Sequence, residues 1–286
     1  MKRIKEFIKT LIDIMWSKEM VHLPGNLAFF IVLSIFPVLT LVGILSSYFS
    51  VSLNGAIRII SRALPTGVDN ILIPFVGGRF TTNAVISIVV ALILASNGSH
   101  ALILASNSLY GIKNSSYLKR RIKALFLIFL MIILFIFMIA FLTYGNTIYA
   151  LILSSVTYEP VNDALYYVFS YIKWPIAMAI IFIIMRIVYV LSPDGKIPSK
   201  TTSRGALFTT IGFTLATAIF SFYVGHFSAY DIYYGSIATI AVLMMWIYII
   251  SYIIVISIAI NVRSYNKYKA NNMNNVKKND NNINVL

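Results

Sequence analysis

Long apolar stretches alternate with short polar or charged segments along the whole chain. A helix needs roughly 20 consecutive apolar residues to cross about 30 Å of hydrocarbon. Six stretches reach that length, at 27–49, 84–106, 124–144, 170–190, 205–224 and 236–261. The second and the fifth are the least hydrophobic of these. The pattern predicts an all-α protein, a polytopic membrane helix bundle with six transmembrane helices.

The first 20 residues show an amphipathic pattern instead of a uniformly apolar one. Apolar side chains recur there at helical spacing, namely Ile4, Phe7, Ile8, Leu11, Ile12 and Met15. Lys5, Lys9 and Asp13 lie between them. We expect residues 1–20 to form an interfacial helix on the inner leaflet, and a helix packed under the bundle is the alternative. Charges throughout the segment argue against a cleavable signal peptide.

Two flanking segments complete the predicted organisation around a transmembrane domain at 21–264. The residues at about 50–83 are too apolar for a plain loop, so we expect an external helical cap there. Residues 265–286 are rich in asparagine and lysine. That composition predicts a disordered cytoplasmic tail.

Composition and charge agree with this topology. The chain is 59% hydrophobic and 11% charged, with a mean hydropathy of +0.85, which excludes an ordinary soluble enzyme. Of its 23 lysines and arginines, 18 lie in the terminal segments and in the second-to-third and fourth-to-fifth connections. These segments share one side if there are six helices. The positive-inside rule then places both termini in the cytoplasm, and the basic excess indicates contact with anionic lipid and no nucleic-acid partner.

Residues that would support catalysis or ion coupling are missing from the predicted spans. All nine acidic residues lie outside them, whereas ion-coupled transporters usually carry intramembrane acids. The three histidines are far apart in sequence, and the chain has no cysteine. We therefore predict no catalytic residue, no metal site and no cofactor.

Polar residues inside the second span are the first candidates for a functional site. Ser96, Asn97 and His100 form a polar group, and Asn107 follows further on. At 100° per residue, Ser96, His100 and Asn107 point within about 40° of one another. They either form hydrogen bonds between helices or line a polar cavity. His100 is the sharpest candidate because histidine can titrate near neutral pH.

The first and fifth spans add further candidates for the same cavity. Thr210, Thr214 and Thr217 form one stripe of the fifth span, with hydrogen bonding to their own helix as the alternative role. Pro37 lies near the middle of the first span and predicts a kink, with Ser34 close by.

Two arginines are candidate contacts for lipid head groups. Arg186 lies five residues before the exit of the fourth span at Leu191–Ser192, and Arg204 opens the fifth span. Each could attract an anionic head group from the cytoplasmic side, and Arg186 could instead extend to bulk head groups.

Four segments of the chain resemble the YihY/BrkB family of bacterial inner-membrane proteins. They run over 27–39, 105–111, 204–206 and 234–248. The resemblance covers about residues 5–265. The family's Gly-Ala-Glu near the end of the last span falls on 257–259, so its glutamate is absent here, although Asn261 is kept. A tryptophan usual in the second span is replaced at Ala95 or a neighbour.

This resemblance implies a six-helix integral protein of the bacterial cytoplasmic membrane. Members were formerly labelled ribonuclease BN-like, and others are linked to serum resistance or to lipid and envelope traffic. A nuclease needs clustered carboxylates or histidines for its metal ions, or a positioned acid–base pair, and the sequence offers neither.

Our leading hypothesis from the sequence is a transporter or flippase of a lipid-like or amphipathic substrate, with an anionic lipid as one candidate. Its partners would be membrane lipids. The alternative is a non-transporting membrane scaffold in envelope assembly, in which the polar residues serve packing. A membrane ribonuclease is the least favoured reading. The substrate and the oligomeric state do not follow from the sequence.

Overall fold

The structure is a computed structural model, and it describes residues 9, 12–48, 84–153, 159–226 and 236–283. The external cap expected at about 50–83 lies outside these residues, as does most of the segment before Ile12.

The described residues form six long helices and no strand. The helices are α1 (Glu19–Tyr48), α2 (Ala84–Tyr110), α3 (Tyr117–Leu153), α4 (Glu159–Leu191), α5 (Ser199–His226) and α6 (Ser236–Ile283). All except α5 contain a segment long and apolar enough to cross a membrane. α5 is interrupted by threonines and glycines, as expected for one of the two least hydrophobic spans. The predicted all-α membrane bundle is confirmed.

The helices pack as a closed ring in chain order. Each helix contacts the next one along the chain, and α6 returns to contact α1. α2 also touches α6, and α1 touches α3. The loops 111–116 and 192–198 lie beside each other, as a hydrogen bond from the Ser115 backbone N–H to the Asp194 carboxylate shows. We call this end of the ring, where the basic loops meet, the basic end.

The buried core is continuous near the basic end. One cluster of buried apolar side chains there draws on all six helices. Its members include Leu27, Ile103, Leu127, Tyr189, Ala206 and Ile258, one from each helix in chain order. The six helices are therefore joined through direct side-chain packing at this end.

Away from the basic end, the described core divides into two clusters. One is built from α1, α5 and α6, around Leu39, Phe220 and Leu243. The other is built from α1, α2 and α3, around Val42 and Ile132. Among the described residues, α4 contributes to neither cluster, and its span is the least buried of the five apolar ones. In the ranges that the structure describes, no single cluster joins all six helices at this end.

The tail differs from the expectation of disorder. α6 continues without a break from Ser236 to Ile283, well past the end of the predicted last span. No proline or glycine occurs after Gly235, so the segment contains no strong helix breaker. Composition pointed to disorder because asparagine and lysine offer little apolar surface to bury, but they do not end a helix that is already formed.

The described part of the N-terminal segment contributes one apolar side chain to the core of the bundle. Residues 12–15 are helical, a turn follows, and α1 begins at Glu19. Ile14, which lies outside the predicted apolar stripe, is buried in the core cluster of the basic end. Ile12 and Met15, which belong to the stripe, are about half exposed, at 49% and 50%. The exposed stripe suits the lipid interface, whereas Ile14 fixes the segment beneath the helices.

Candidate functional site

A reciprocal pair of hydrogen bonds joins α2 to the loop between α4 and α5. The side-chain amide of Asn107 donates to Asp194 Oδ2 at 2.8 Å, and its oxygen accepts from the Asp194 backbone N–H at 2.8 Å. The same amide donates to Asn114 Oδ1 at 2.9 Å. Asn107 is 1% exposed, so these bonds form where water does not compete. We call the contacts of Asn107 and Asp194 the basic-end clamp.

Asp194 is the centre of this clamp. Its carboxylate also accepts from the Ser115 backbone N–H at 3.0 Å and from Lys123 Nζ at 3.1 Å. Lys123 donates a further bond to the Pro193 carbonyl at 2.6 Å. The carboxylate therefore fixes α2, α3 and both loops of the basic end relative to one another.

The electrostatics of the clamp keep Asp194 ionised. Burial acting alone would raise its pKa, but hydrogen bonds from the Ser115 backbone, Lys123 and Asn107 outweigh burial and lower the pKa to about 2. A carboxylate held in this state is a fixed counter-charge and does not release and take up protons near neutral pH.

Asp194 was missed by the sequence analysis, although a signal for it exists. The second-to-third and fourth-to-fifth connections contain many lysines and arginines, and Asp194 is the one acid among them. A single carboxylate in two basic loops on the same side is expected to draw both loops together.

A second polar contact lies between α5 and α6. The Gly205 backbone N–H donates to Asn261 Oδ1 at 2.8 Å. A Cβ atom at position 205 would lie 2.3 Å from the Ser257 carbonyl oxygen, so only glycine fits. One turn on, the Thr209 hydroxyl donates to Ser257 Oγ at 2.6 Å and also bonds the Tyr189 hydroxyl. We call this contact between α5 and α6 the glycine seam. It contains two of the positions noted in the family comparison, Gly205 and Asn261.

Ser34 forms the corresponding contact between α1 and α2. Its hydroxyl donates to the Phe30 carbonyl at 2.6 Å and accepts from the Gly98 backbone N–H at 2.9 Å. Pro37 lies in the next turn of α1 and is half-buried. Gly98 allows α1 and α2 to approach closely, since a Cβ atom at this position would lie only 3.2 Å from Ser34 Oγ.

Asn97 and His100 lie near the start of α3. Arg121 donates from Nη1 to Asn97 Oδ1 at 2.8 Å and from Nη2 to the Ile93 carbonyl at 2.9 Å. The His100 ring packs edge-on against Tyr117, with centroids 5.9 Å apart. His100 Nε2 is buried without a hydrogen-bond partner.

These contacts place Asn97 and His100 closer to the basic end than the sequence predicts. The sequence places residues 96–100 in the middle of the second span, but Arg121 and Tyr117 belong to the basic first turns of α3. The 111–116 loop folds back along α2, so α3 begins beside His100 and not beside Tyr110, where α2 ends. The path of this loop depends on tertiary contacts, and the hydropathy of the sequence does not report such contacts.

The remaining candidates bond mostly within their own helices. Thr210 donates to the Ala206 carbonyl at 2.9 Å and Thr214 to the Thr210 carbonyl at 2.9 Å. Ser96 donates to the Ile93 carbonyl at 2.7 Å. Thr217 accepts from Trp246 Nε1 at 3.4 Å, a long bond between α5 and α6. These bonds match the alternative role given above for the threonine stripe.

The two arginines lie at the basic end. Arg186 is near the end of α4, and its Nε lies 3.4 Å from the Ser199 carbonyl, where α5 begins. Arg204 is exposed in the first turns of α5. Contact of either one with a lipid head group stays a prediction.

The candidate cavity residues are thus distributed over several separate contacts. The structure brings Asn97 and His100 to one side of α3, Ser34 to the α1–α2 contact, and Asn107 to the clamp. Two surface pockets near the basic end, of about 480 and 220 Å³, contain none of these residues. One shared polar cavity therefore stays a prediction. Among the described residues, no three histidine, aspartate or glutamate side chains are grouped so that they could hold a metal ion.

The long apolar helices and the clustered basic loops define a polytopic α-helical membrane protein. Comparison with known families narrows this class. The profile of the virulence factor BrkB family matches residues 11–281, and the chain belongs to this family.

Relatives agree with this assignment. The YfkH protein of Bacillus subtilis, whose name describes it as ribonuclease-like, is 28% identical over 268 residues, which is 92% of this chain and 96% of that protein. A UPF0761 membrane protein of Pseudoalteromonas translucida is 40% identical over 68 residues, covering 24% of this chain and 22% of the relative. Another from Idiomarina loihiensis is 30% identical over 100 residues, or 35% of each chain. No solved structure matches the chain significantly.

The Gly205 contact predicts a strong effect of a single methyl group. Gly205→Ala should lower the free energy of unfolding by about 1–3 kcal/mol, because the added Cβ meets backbone and forces α5 away from α6. The measurement is the thermal unfolding midpoint of the detergent-purified protein. Gly212→Ala on the same helix is the control, since its Cβ meets only the Ile253 side chain, at 3.0 Å. Equal midpoints for the two variants would contradict the assignment.

The Asp194 carboxylate predicts an acid-sensitive clamp. Because the folded pKa lies below the unfolded value of about 3.9, the stabilisation is complete above that value and is lost as pH falls toward about 2. At neutral pH it amounts to about 2–3 kcal/mol. Asp194→Asn should lower the unfolding midpoint at neutral pH, and its difference from the native chain should shrink below about pH 4. If the difference in unfolding midpoint between the two proteins stays constant on acidification, the charge of Asp194 does not contribute to stability.

Proposed function

We propose that this membrane protein moves an anionic, amphipathic, lipid-like substrate between the leaflets of the bacterial cytoplasmic membrane, with its basic end facing the cytoplasm. The observation that carries the proposal is the arrangement of the described core, in which one cluster joins all six helices at the basic end and two separate clusters lie away from it. A substrate site that opens to one side at a time requires this asymmetry.

The two clusters define which helices would move together. α5 and α6 share the glycine seam and one cluster, whereas α2 and α3 share the other. α1 contributes to both clusters, and α4 to neither among the described residues. Rocking of one helix group against another around a fixed region is a common route to alternating access. The described state corresponds to closure at the basic end.

The charges support an anionic substrate and the proposed orientation. Lysines and arginines are concentrated in the loops and terminal segments of the basic end, and such clusters attract anionic head groups. The positive-inside rule assigns this end to the cytoplasm. No acid falls within the six predicted spans, so we propose no carboxylate-based ion coupling.

Opening of the basic end can be tested with a reversible cross-link. Ser106 and Ser192 have their hydroxyl oxygens 2.9 Å apart and connect α2 to the loop before α5. The chain has no native cysteine, so Ser106→Cys/Ser192→Cys introduces the only pair. In proteoliposomes, oxidation should abolish movement of labelled anionic lipid, and reduction should restore it. The measurement is the fraction of label accessible to an impermeant quencher.

A second pair supplies the control. Thr209→Cys/Ser257→Cys joins α5 to α6 within one helix group, where the native oxygens are 2.6 Å apart. Oxidation of this pair should leave lipid movement unchanged. Unchanged lipid distribution with the native protein across a panel of head groups would overturn the transport proposal. Inhibition by both pairs alike would overturn the assignment of moving groups.

A non-transporting scaffold is the second candidate, and one observation favours it. Most buried polar residues of the bundle are paired with one another or with their own helix, as in a static structure. In that case a polar residue that lacks a partner should be dispensable, whereas a paired one should be needed for folding.

His100 and Asn107 separate the two candidates. Asn107→Leu should lower folded yield, because it leaves the Asp194 backbone N–H and carboxylate without partners. His100→Leu should leave folded yield unchanged, since Nε2 has no partner to lose. Folded yield is measured by size-exclusion chromatography, and lipid movement by the quenching assay. A stable His100→Leu protein that no longer moves lipid supports transport, whereas native and variant proteins that both fail to move lipid support the scaffold.

We propose no catalytic activity for the chain. The word ribonuclease in the name of the Bacillus subtilis relative describes that protein. Here the proposal is supported by the dispersed acids and histidines and by the engagement of Asp194 in the clamp. Cleavage of RNA by the pure protein, abolished by a chelator, would overturn it.

A further inference from the structure

A groove of about 480 Å³ lies at the basic end, between the loop before α5 and the part of α6 beyond the predicted span. It is lined by Lys196, Pro198, Tyr265, Tyr268, Lys269 and Met273. Its size falls in the range of about 300–1,000 Å³ that is typical of small-molecule sites. Neither Arg186 nor Arg204 lines it, so it differs from the head-group contacts expected from the sequence.

The groove has an unbalanced positive charge. Lys196 comes from the loop and Lys269 from α6, so two ammonium groups border the same space. Within the described part of the chain, the ion pairs are Lys123–Asp194 and Arg263–Asp13, and neither involves these lysines. Asp194 is two residues from Lys196 but is already bound to Lys123 and Asn107. The groove is therefore complementary to an anion.

Apart from Asn272, the other lining residues are apolar or aromatic, which distinguishes the groove from a site for a free inorganic anion. Pro198 and Met273 present apolar surface, and the Met273 side chain is half exposed. Tyr265 packs edge-on against Tyr110 with centroids 5.7 Å apart, which fixes one wall. Tyrosines and lysines at the end of a transmembrane helix are typical of the membrane–water interface.

We propose that this groove binds an anionic phospholipid at the basic end. Lys196 and Lys269 hold the phosphate, and the glycerol and upper acyl chains lie against Pro198, Tyr265 and Tyr268, toward the predicted span. Basic pockets on the cytoplasmic side of membrane proteins recognise head groups by the same combination of charge and apolar surface. The site does not rest on the transport proposal, because a scaffold would bind lipid here equally well.

The test uses the full chain in a mild detergent with phosphatidylglycerol and phosphatidylcholine as probes. Native mass spectrometry counts the lipids retained during titration with each probe. The native protein should retain phosphatidylglycerol in preference to phosphatidylcholine. Lys196→Gln/Lys269→Gln should weaken phosphatidylglycerol binding about 10- to 30-fold and leave phosphatidylcholine binding unchanged.

A matched variant controls for general charge attraction. Lys200→Gln/Lys267→Gln removes the same charge from exposed lysines that do not line the groove. Its phosphatidylglycerol affinity should stay within about two-fold of the native value, and both variants should keep the native unfolding midpoint. Equal losses for the two pairs would overturn the site.

A further experiment distinguishes binding of a lipid from binding of a free phosphate group. Tyr268→Gln should weaken phosphatidylglycerol binding but leave the weak binding of glycerol phosphate unchanged. If glycerol phosphate binds the native protein as tightly as the lipid does, the groove is an anion site and the lipid proposal fails. The cysteine pairs of the transport experiment do not include these residues, so the two proposals fail independently.

Discussion

Most of the described architecture depends on the pairing of Asn107 with Asp194. An amide and a carboxylate that are both largely removed from water each need full hydrogen bonding, and here each satisfies the other. The loop 111–116 is held against α2 by the same carboxylate, through the Ser115 backbone. α3 therefore starts beside His100, and Lys123 comes within reach of Asp194. Loss of this one pairing would release two loops and the start of α3 together.

Hydrogen bonds between helices also indicate which of the described helices are joined directly. In lipid there is little hydrophobic force between helices, so close packing at small residues and hydrogen bonds between helices set which helices stay together. The described bonds of this kind include the clamp, the Gly205–Asn261 seam and the Ser34–Gly98 contact. Each joins a particular pair of elements, and α4 takes part mainly near its last turn, through Tyr189. The two described core clusters away from the basic end each contain a pair of helices that such a bond joins.

The helices were predictable from sequence, but the site was predictable only in part. Apolar runs report helices well because backbone groups in lipid must bond within their own helix. Asn107 was found because an amide in an apolar run is conspicuous. Its partner was not, since Asp194 lies in a polar loop 87 residues away. The depth of His100 and the continuation of α6 depended on the return of the 111–116 loop and on the absence of a helix breaker, neither of which hydropathy measures.

The position of Asp194 also divides the charges of its loop into two kinds. Lys123 is neutralised by the carboxylate and belongs to the structure of the clamp, whereas Lys196, two residues after Asp194, borders the open groove beside α6. If Asp194 were free, it would lie close enough to Lys196 to compete with any anionic head group for that lysine. Because its oxygens are bound by Lys123, Asn107 and the Ser115 backbone, its charge is balanced inside the clamp. The bonds that close the basic end therefore also leave the groove its positive charge.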